Sequence, residues 1–308
     1  MLEGKVFITG GAGFLGRAIL RRASAESWPC TFTIYSRDPI KQQKAIHEFP
    51  DVVCILGDVR DAPRLSLAMA GHDTVIHAAA MKHIPEGERN PIDMMTVNVS
   101  GSLNVGLAAI ANRVKRVVGI STDKACHAIN AYGASKFLME RMFQELTGHN
   151  LTAFHLTRYG NVLSSTGSVL TEWQRMAAEQ GYVTATSPDM TRFWLTDERA
   201  VDLILLALSE PSGTVTIPRL PSCTMRQMAE WLMPSAEFRY EGLRPGEKRH
   251  EVLLTCEESR FVERQDDVFR LWPVTGRPMR ASAVGEYRSD TPDRYLTPDE
   301  LRQMVGGA

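Results

Sequence analysis

Two short segments of this chain carry side chains that could move protons beside one another. In Tyr132-Gly133-Ala134-Ser135-Lys136, a phenol and an ammonium stand four residues apart. On a helix that spacing puts both on one face. A free tyrosine, with a pKa of about 10, is a poor base near neutrality. An adjacent ammonium favours the phenolate, so the pair reads as a base for a hydroxyl proton. Just upstream, Ser121-Thr122-Asp123-Lys124 offers a hydroxyl, a carboxylate and a second amine. Thr122 can hydrogen-bond a substrate hydroxyl. Asp123 and Lys124 add an acid and a base, which chemistry needs when a C–H bond breaks and water departs. A surface pair and a loop ion pair are the ordinary readings of such residues, so the surrounding elements must decide.

Those elements alternate. Short apolar runs at residues 6–9, 31–35, 52–56, 74–77, 116–121 and 152–156 read as strands covered on both faces, and helical stretches such as 91–111 and 132–146 separate them. The alternation implies a parallel sheet with right-handed crossovers. The expected fold is α/β, a Rossmann-type doubly wound parallel sheet with a smaller, interleaved C-terminal substrate lobe. Residues 1–160 form the dinucleotide-binding domain, with 197–218 returning to it as a helix and a strand. Residues 161–196 and 219–308 form the substrate-binding lobe. The tetrapeptide 121–124 then lies at the carboxyl end of a central strand, where open α/β sheets bind ligands.

After the first strand comes Thr9-Gly10-Gly11-Ala12-Gly13-Phe14-Leu15-Gly16. Gly10, Gly13 and Gly16 suit a tight turn whose backbone N–H groups, with those of Phe14 and Leu15, approach a pyrophosphate at a helix N-terminus. Strand two ends in Ser36-Arg37-Asp38. A hydroxyl and a guanidinium suit the 2'-phosphate of NADP, with Lys41 as a second contact; Asp38 leaves NAD as the less favoured reading. Asp58 and Val59 are placed beside the adenine. Ala78 and Ala79 are small enough to let a cofactor lie close to the backbone. Lys136 can also hold the nicotinamide ribose.

The 308 residues are 44% hydrophobic and 23% charged, with a formal net charge of -1. Length and composition suit one large globular unit with a smaller lobe. The charge balance gives no footprint for nucleic acid or an anionic membrane. No signal peptide and no membrane-spanning segment is expected. The cysteines number five and form no C-x-x-C pair, which argues for free thiols in a reducing cytoplasm and against a metal site.

At these residues the chain resembles the inverting UDP-N-acetylglucosamine 4,6-dehydratases of bacterial surface-sugar synthesis, within the extended short-chain dehydrogenases. The resemblance runs over nearly the whole chain. Beyond the segments above, its markers are Leu56 to Asp61, Met81-Lys82-His83-Ile84-Pro85, Arg158-Tyr159-Gly160-Asn161-Val162, Met190-Thr191-Arg192-Phe193 and Arg244-Pro245-Gly246-Glu247-Lys248. It implies that Tyr132, with Thr122 and Lys136, takes the C4 hydroxyl proton while NADP accepts a hydride. Lys124, its pKa lowered by burial or by neighbouring cations, then takes the C5 proton. Asp123 protonates the departing C6 hydroxyl, and the hydride returns to C6. Arg192 and Arg244 are the expected diphosphate contacts, joined by Lys82 and Asn161. A homo-oligomer is expected. The chain departs from the family at His127-Ala128, where relatives have Asn and Pro. The rival readings are a sugar-nucleotide 4-epimerase or reductase, which would leave Asp123 and Lys124 idle, and a non-enzymatic dinucleotide sensor.

Overall fold

Sixteen strands organise the computed structural model, which describes residues 1–149, 151–163, 165, 167–273 and 284–306. In chain order they are β1 Gly4–Thr9, β2 Cys30–Ser36, β3 Val53–Leu56, β4 Thr74–His77, β5 Arg116–Thr122, β6 Ala153–Tyr159, β7 Asn161–Val162 and β8 Tyr182–Ala185. They continue as β9 Thr191–Leu195, β10 Val215–Pro218, β11 Ser222–Thr224, β12 Glu237–Tyr240, β13 Val252–Leu254, β14 Val262–Arg264, β15 Val268–Leu271 and β16 Tyr287–Arg288. The helices are α1 Phe14–Ala25, α2 Pro39–Glu48, α3 Ala62–Met69, α4 Ile84–Arg89, α5 Pro91–Met95, α6 Gly101–Ala111, α7 Ala131–Leu146, α8 Val169–Gln180, α9 Asp197–Ser209, α10 Met225–Leu232 and α11 Pro298–Gly306.

The main sheet runs β14-β15-β10-β6-β5-β4-β1-β2-β3. From β3 across to β10 every pairing is parallel; β15 joins β10, and β14 joins β15, antiparallel. The order reverses between β1 and β4, so the carboxyl ends of β1, β4 and β5 open on one crevice. The apolar runs of the sequence form these strands because helices cover the sheet: Ile8, Ile34, Ile76 and Val118 are wholly or almost wholly buried in one core.

Two expectations are corrected. Residues 262–264 and 268–271, assigned to the substrate lobe, instead form β14 and β15 of the main sheet, and Leu253, Leu254 and Tyr287 pack on its core. Strands three or four residues long, here Val-Glu-Arg and Val-Phe-Arg-Leu, carry too weak a pattern to be placed from sequence. The part of that lobe at 274–283 and 307–308 lies outside the described residues. The lobe's own core gathers Trp173, Val183, Trp194, Met228 and Leu301, under the sheet β7-β9-β11 and the pair β8 and β12. The second correction concerns the helical run Pro91–Ala111, which is long and apolar enough, by length and composition, to cross a membrane. Half of it is buried against the domain, packed beside α3 and α7.

Candidate active site

The sequence-derived residues converge on one cleft of about 1360 Å³ at the carboxyl ends of the strands. Gly10, Gly13, Phe14 and Leu15 line one end, with Ser36, Arg37, Lys41, Val59, Ala78 and Ala79. Thr122, Lys124, Tyr132 and Lys136 line the middle, and Lys82, Asn161 and Arg244 the far side. Gly16, Asp58, Asp123 and Arg192 stand behind the wall.

The dinucleotide end is shaped by absent side chains. Gly10 has φ +71, and a Cβ there would lie 2.8 Å from the backbone nitrogen of Ala79. Only glycine meets both demands. Gly13 caps α1 without a side chain, which leaves the first N–H groups of that helix for a ligand. At Gly16 a Cβ would stand 2.1 Å from the Gly11 carbonyl oxygen, so this glycine permits close packing of helix on turn. Asp38 accepts from the Ile40 and Lys41 N–H groups as the cap of α2. Its carboxylate is thereby occupied, while Arg37 and Lys41 remain largely exposed. Asp58 is held by Arg60, with Arg37 3.7 Å away.

The catalytic end depends on where α7 begins. Asn130 accepts from the Gly133 N–H at 2.7 Å and donates to the Gly246 carbonyl at 2.7 Å. One cap residue therefore starts the catalytic helix and docks the 244–248 loop. A Cβ on Gly133 would lie 2.1 Å from the Lys124 carbonyl oxygen, so α7 sits directly on the 123–125 turn. That contact brings Tyr132 beside Thr122 and Lys124.

Burial pushes the Tyr132 phenol up to about 12; among charges, Lys124 draws it down and Asp123 pushes it up, and the Thr122 hydroxyl also lowers it. The cation most strongly felt by the phenol is therefore Lys124, where the sequence argument expected Lys136. Lys136 is buried and donates to the Ile120 carbonyl at 2.7 Å; burial lowers its ammonium to about 8, opposed by Glu140. Lys124 also departs from expectation. Burial disfavours its charge, but Asp123 and Glu251 outweigh that and raise its pKa. Its Nζ lies 3.0 Å from Asp123 Oδ1, 3.3 Å from Asn161 Oδ1 and 3.3 Å from Glu251 Oε1. Asp123 is fully enclosed. Burial raises its pKa against the pull of Lys124, and it accepts from Thr122 Oγ1 at 3.0 Å. Its expected reach to a C6 hydroxyl is corrected: it does not line the cleft and lies behind Thr122 and Lys124.

Arg192 is corrected as well. Its guanidinium donates to the carbonyls of Thr191, Arg249 and Lys248 and is buried. It braces the 248–251 segment and offers no fork to a phosphate. Arg244 differs: it is exposed at the cleft and paired with Glu241 at 3.2 Å.

Two contributors were missed. Asn98 lies in a π-helical turn, Thr96–Ser100, between α5 and α6. It bonds both backbone groups of Met81 at 2.8 Å and donates to Ser135 Oγ at 3.0 Å, fastening the loop after β4 to α7. An amide inside an apolar helical run was its only signal, and π-bulges gather at functional sites. Glu251 had no signal, being 127 residues from the lysine it meets.

A family model described as "Polysaccharide biosynthesis protein" matches residues 6–273. The chain belongs to this family. It is 36% identical over 322 residues to a UDP-N-acetylglucosamine 4,6-dehydratase (inverting) of Campylobacter jejuni, covering 97% of this chain and 96% of that one. A UDP-glucose 4-epimerase of Rickettsia massiliae is 36% identical over 287 residues, covering 89% and 84%. An X-ray structure of Pen from Bacillus thuringiensis superposes with a TM-score of 0.91 at 31% identity, covering 99% of this chain and 97% of that one.

Proposed function

We propose that this chain is an NADP-dependent sugar-nucleotide 4,6-dehydratase acting on UDP-N-acetylglucosamine, with inversion at C5. One observation carries the reading: the Lys124 amine faces the same cleft as the Tyr132 phenol, with the Asp123 carboxylate 3.0 Å behind it. An epimerase or reductase needs the phenol and Lys136 but has no use for that second couple. The near-complete coverage of the Campylobacter relative supports the same choice.

A dinucleotide fits the described residues: the glycine-shaped turn, the uncapped start of α1 and the small Ala78 and Ala79 leave room for a pyrophosphate against backbone. Arg37 and Lys41 would hold a 2'-phosphate, and Ser36, whose oxygen accepts from Gln42, keeps its own proton to donate. The occupied Asp38 favours NADP over NAD. When bound, the dinucleotide would supply two-electron oxidation at the sugar C4 and the matching reduction at C6.

The chain's own groups move the protons. Tyr132 takes the C4 hydroxyl proton, with the Thr122 hydroxyl and the Lys124 charge favouring its phenolate. The C4 ketone acidifies C5–H. Lys124 passes a proton to Asp123 across their 3.0 Å contact and, as the free amine, takes the C5 proton. The ammonium so formed gives a proton to the C6 hydroxyl, which leaves as water. A solvent-derived proton delivered to C5 from the opposite face yields the L-arabino 4-keto-6-deoxy sugar, while Tyr132 releases its proton to solvent and Asp123 returns its proton to Lys124. Arg244 and Lys82 meet the diphosphate, and Asn161 steadies Lys124.

Exposed apolar side chains on the packed helices α5, α6 and α7 (Ile92, Leu103, Leu107, Phe137 and Leu138) support self-association through this face. All five cysteines are free, as a reducing cytoplasm would keep them. The test is incubation with UDP-N-acetylglucosamine in deuterated water, followed by NMR. Loss of water with deuterium at C5 is expected. An unchanged sugar, or one altered only at C4, overturns the proposal.

A further inference from the structure

The 244–254 segment places a carboxylate directly against the proton-transferring lysine. Glu251 is 1% exposed. Its Oε1 lies 3.3 Å from Lys124 Nζ and 3.8 Å from Arg192 Nε, and its Oε2 lies 3.8 Å from Lys248 Nζ. Oε2 has no hydrogen-bond partner among the described residues. Backbone bonds hold the residue in place: its N–H donates to Ser289 Oγ at 2.8 Å, and its carbonyl accepts from the Ser289 N–H at 2.9 Å. A buried carboxylate is costly unless cations compensate it. Here the compensating cations include the very amine that reaches the cleft.

We infer that Glu251 is a positioning residue for the Lys124 step: its carboxylate aims the amine and sets how readily it gives up a proton to Asp123. This inference rests on the dehydratase reading. Lys124 stands between two carboxylates with unequal surroundings. Glu251 is backed by Arg192 and Lys248, which keep it ionised after Lys124 becomes neutral. Asp123 has no cation besides Lys124 within ion-pair reach among the described residues, so it is the carboxylate that takes up a proton. The other groups facing the cluster are Tyr132 and Lys82 across the cleft and Glu247 against Arg192. The arrangement gives the shuttled proton one destination, and the acid–base state of Lys124 depends on correct seating of the 248–251 segment.

The test compares full-length wild type, Glu251→Gln and Glu251→Asp. Removing one anion beside Lys124 makes its neutral form easier to reach. The acidic limb of the kcat profile, which rises as the Lys124 amine becomes available as a base, is therefore expected to shift to lower pH in Glu251→Gln, while the misaimed amine slows maximal water loss at least tenfold. Formation of reduced cofactor, read at 340 nm in a single turnover, is expected to fall less than water loss, because Tyr132 and Lys136 keep their places and only the Lys124 charge beside the phenol changes. Glu251→Asp restores the wild-type pH profile in part. An unshifted profile, or equal loss of both steps, overturns the inference. A second readout needs no turnover: reductive ¹³C-methylation of the lysines, assigned with Lys124→Gln, reports the Lys124 titration by NMR. That titration is expected to move to lower pH in Glu251→Gln, and an unmoved signal overturns the inference even if wild type dehydrates no sugar. Wild type that fails to eliminate water defeats the dehydratase reading instead. Unchanged melting temperature and circular dichroism separate positioning from misfolding, and a variant that does not fold is replaced by Glu251→Asp in both readouts.

Discussion

The α-carbon of Gly133 faces the carbonyl oxygen of Lys124 so closely that a methyl group placed on it would lie 2.1 Å from that oxygen. The first turn of α7 and the turn after β5 are thus one unit, and the distance between phenol and amine follows from their contact. Gly133→Ala must push α7 away from the 123–125 turn. Overpacking of this kind costs about 1–3 kcal/mol. A misplacement near 1 Å in a catalytic constellation costs roughly 100-fold. The expected result is a folded protein with a lowered melting temperature and kcat down by about two orders of magnitude. Activity within twofold of wild type would show that the contact does not govern the site.

Cofactor choice turns on the end of β2. Arg37 is an exposed guanidinium on the cleft wall, and Asp38 is spent on capping α2. A charge-assisted hydrogen bond to phosphate is worth about 1.5–3 kcal/mol. Arg37→Ala should weaken NADP binding by roughly 10- to 100-fold and leave NAD binding nearly unchanged, as read by calorimetric titration of the purified protein. Equal weakening of both cofactors would place Arg37 elsewhere on the dinucleotide.

Beneath the site, Arg158 is fully buried between two carboxylates. It donates to Glu140 at 2.6 Å and to Glu258 at 2.8 Å. Burial raises the Glu258 pKa, but Arg158 and the Thr255 N–H outweigh it and lower the group from 4.5 to about 2. A carboxyl depressed in the fold contributes stability above its unfolded pKa and loses it as pH falls from about 4.5 through about 2. The contribution at neutrality is about 3 kcal/mol. Urea unfolding of wild type and Glu258→Gln should show a stability gap that narrows by about 2 kcal/mol between pH 7 and pH 3. A gap independent of pH would mean that Glu258 is not the titrating partner of Arg158.

Local patterns made the parallel sheet, the glycine turn and the Tyr132–Lys136 pair legible. Each is a short-range rule: apolar runs for covered strands, glycines where backbone must approach backbone, and four-residue spacing for one helix face. These rules placed Gly10, Thr122, Lys124 and Tyr132 on one cleft without knowledge of distant contacts. The protonation of Lys124 was legible only in part: its sequence neighbour Asp123 holds the charge most strongly, and Glu251, from another part of the chain, adds to it from 3.3 Å. Arg192 was misread because a guanidinium suits a phosphate, and only the fold shows its donors already spent on the carbonyls of Lys248 and Arg249. Sequence by itself determined which chemistries were available and on which elements they sit. Tertiary structure decided which charges meet in the interior, where a desolvated group takes its state from every partner packed against it, whether near or far along the chain.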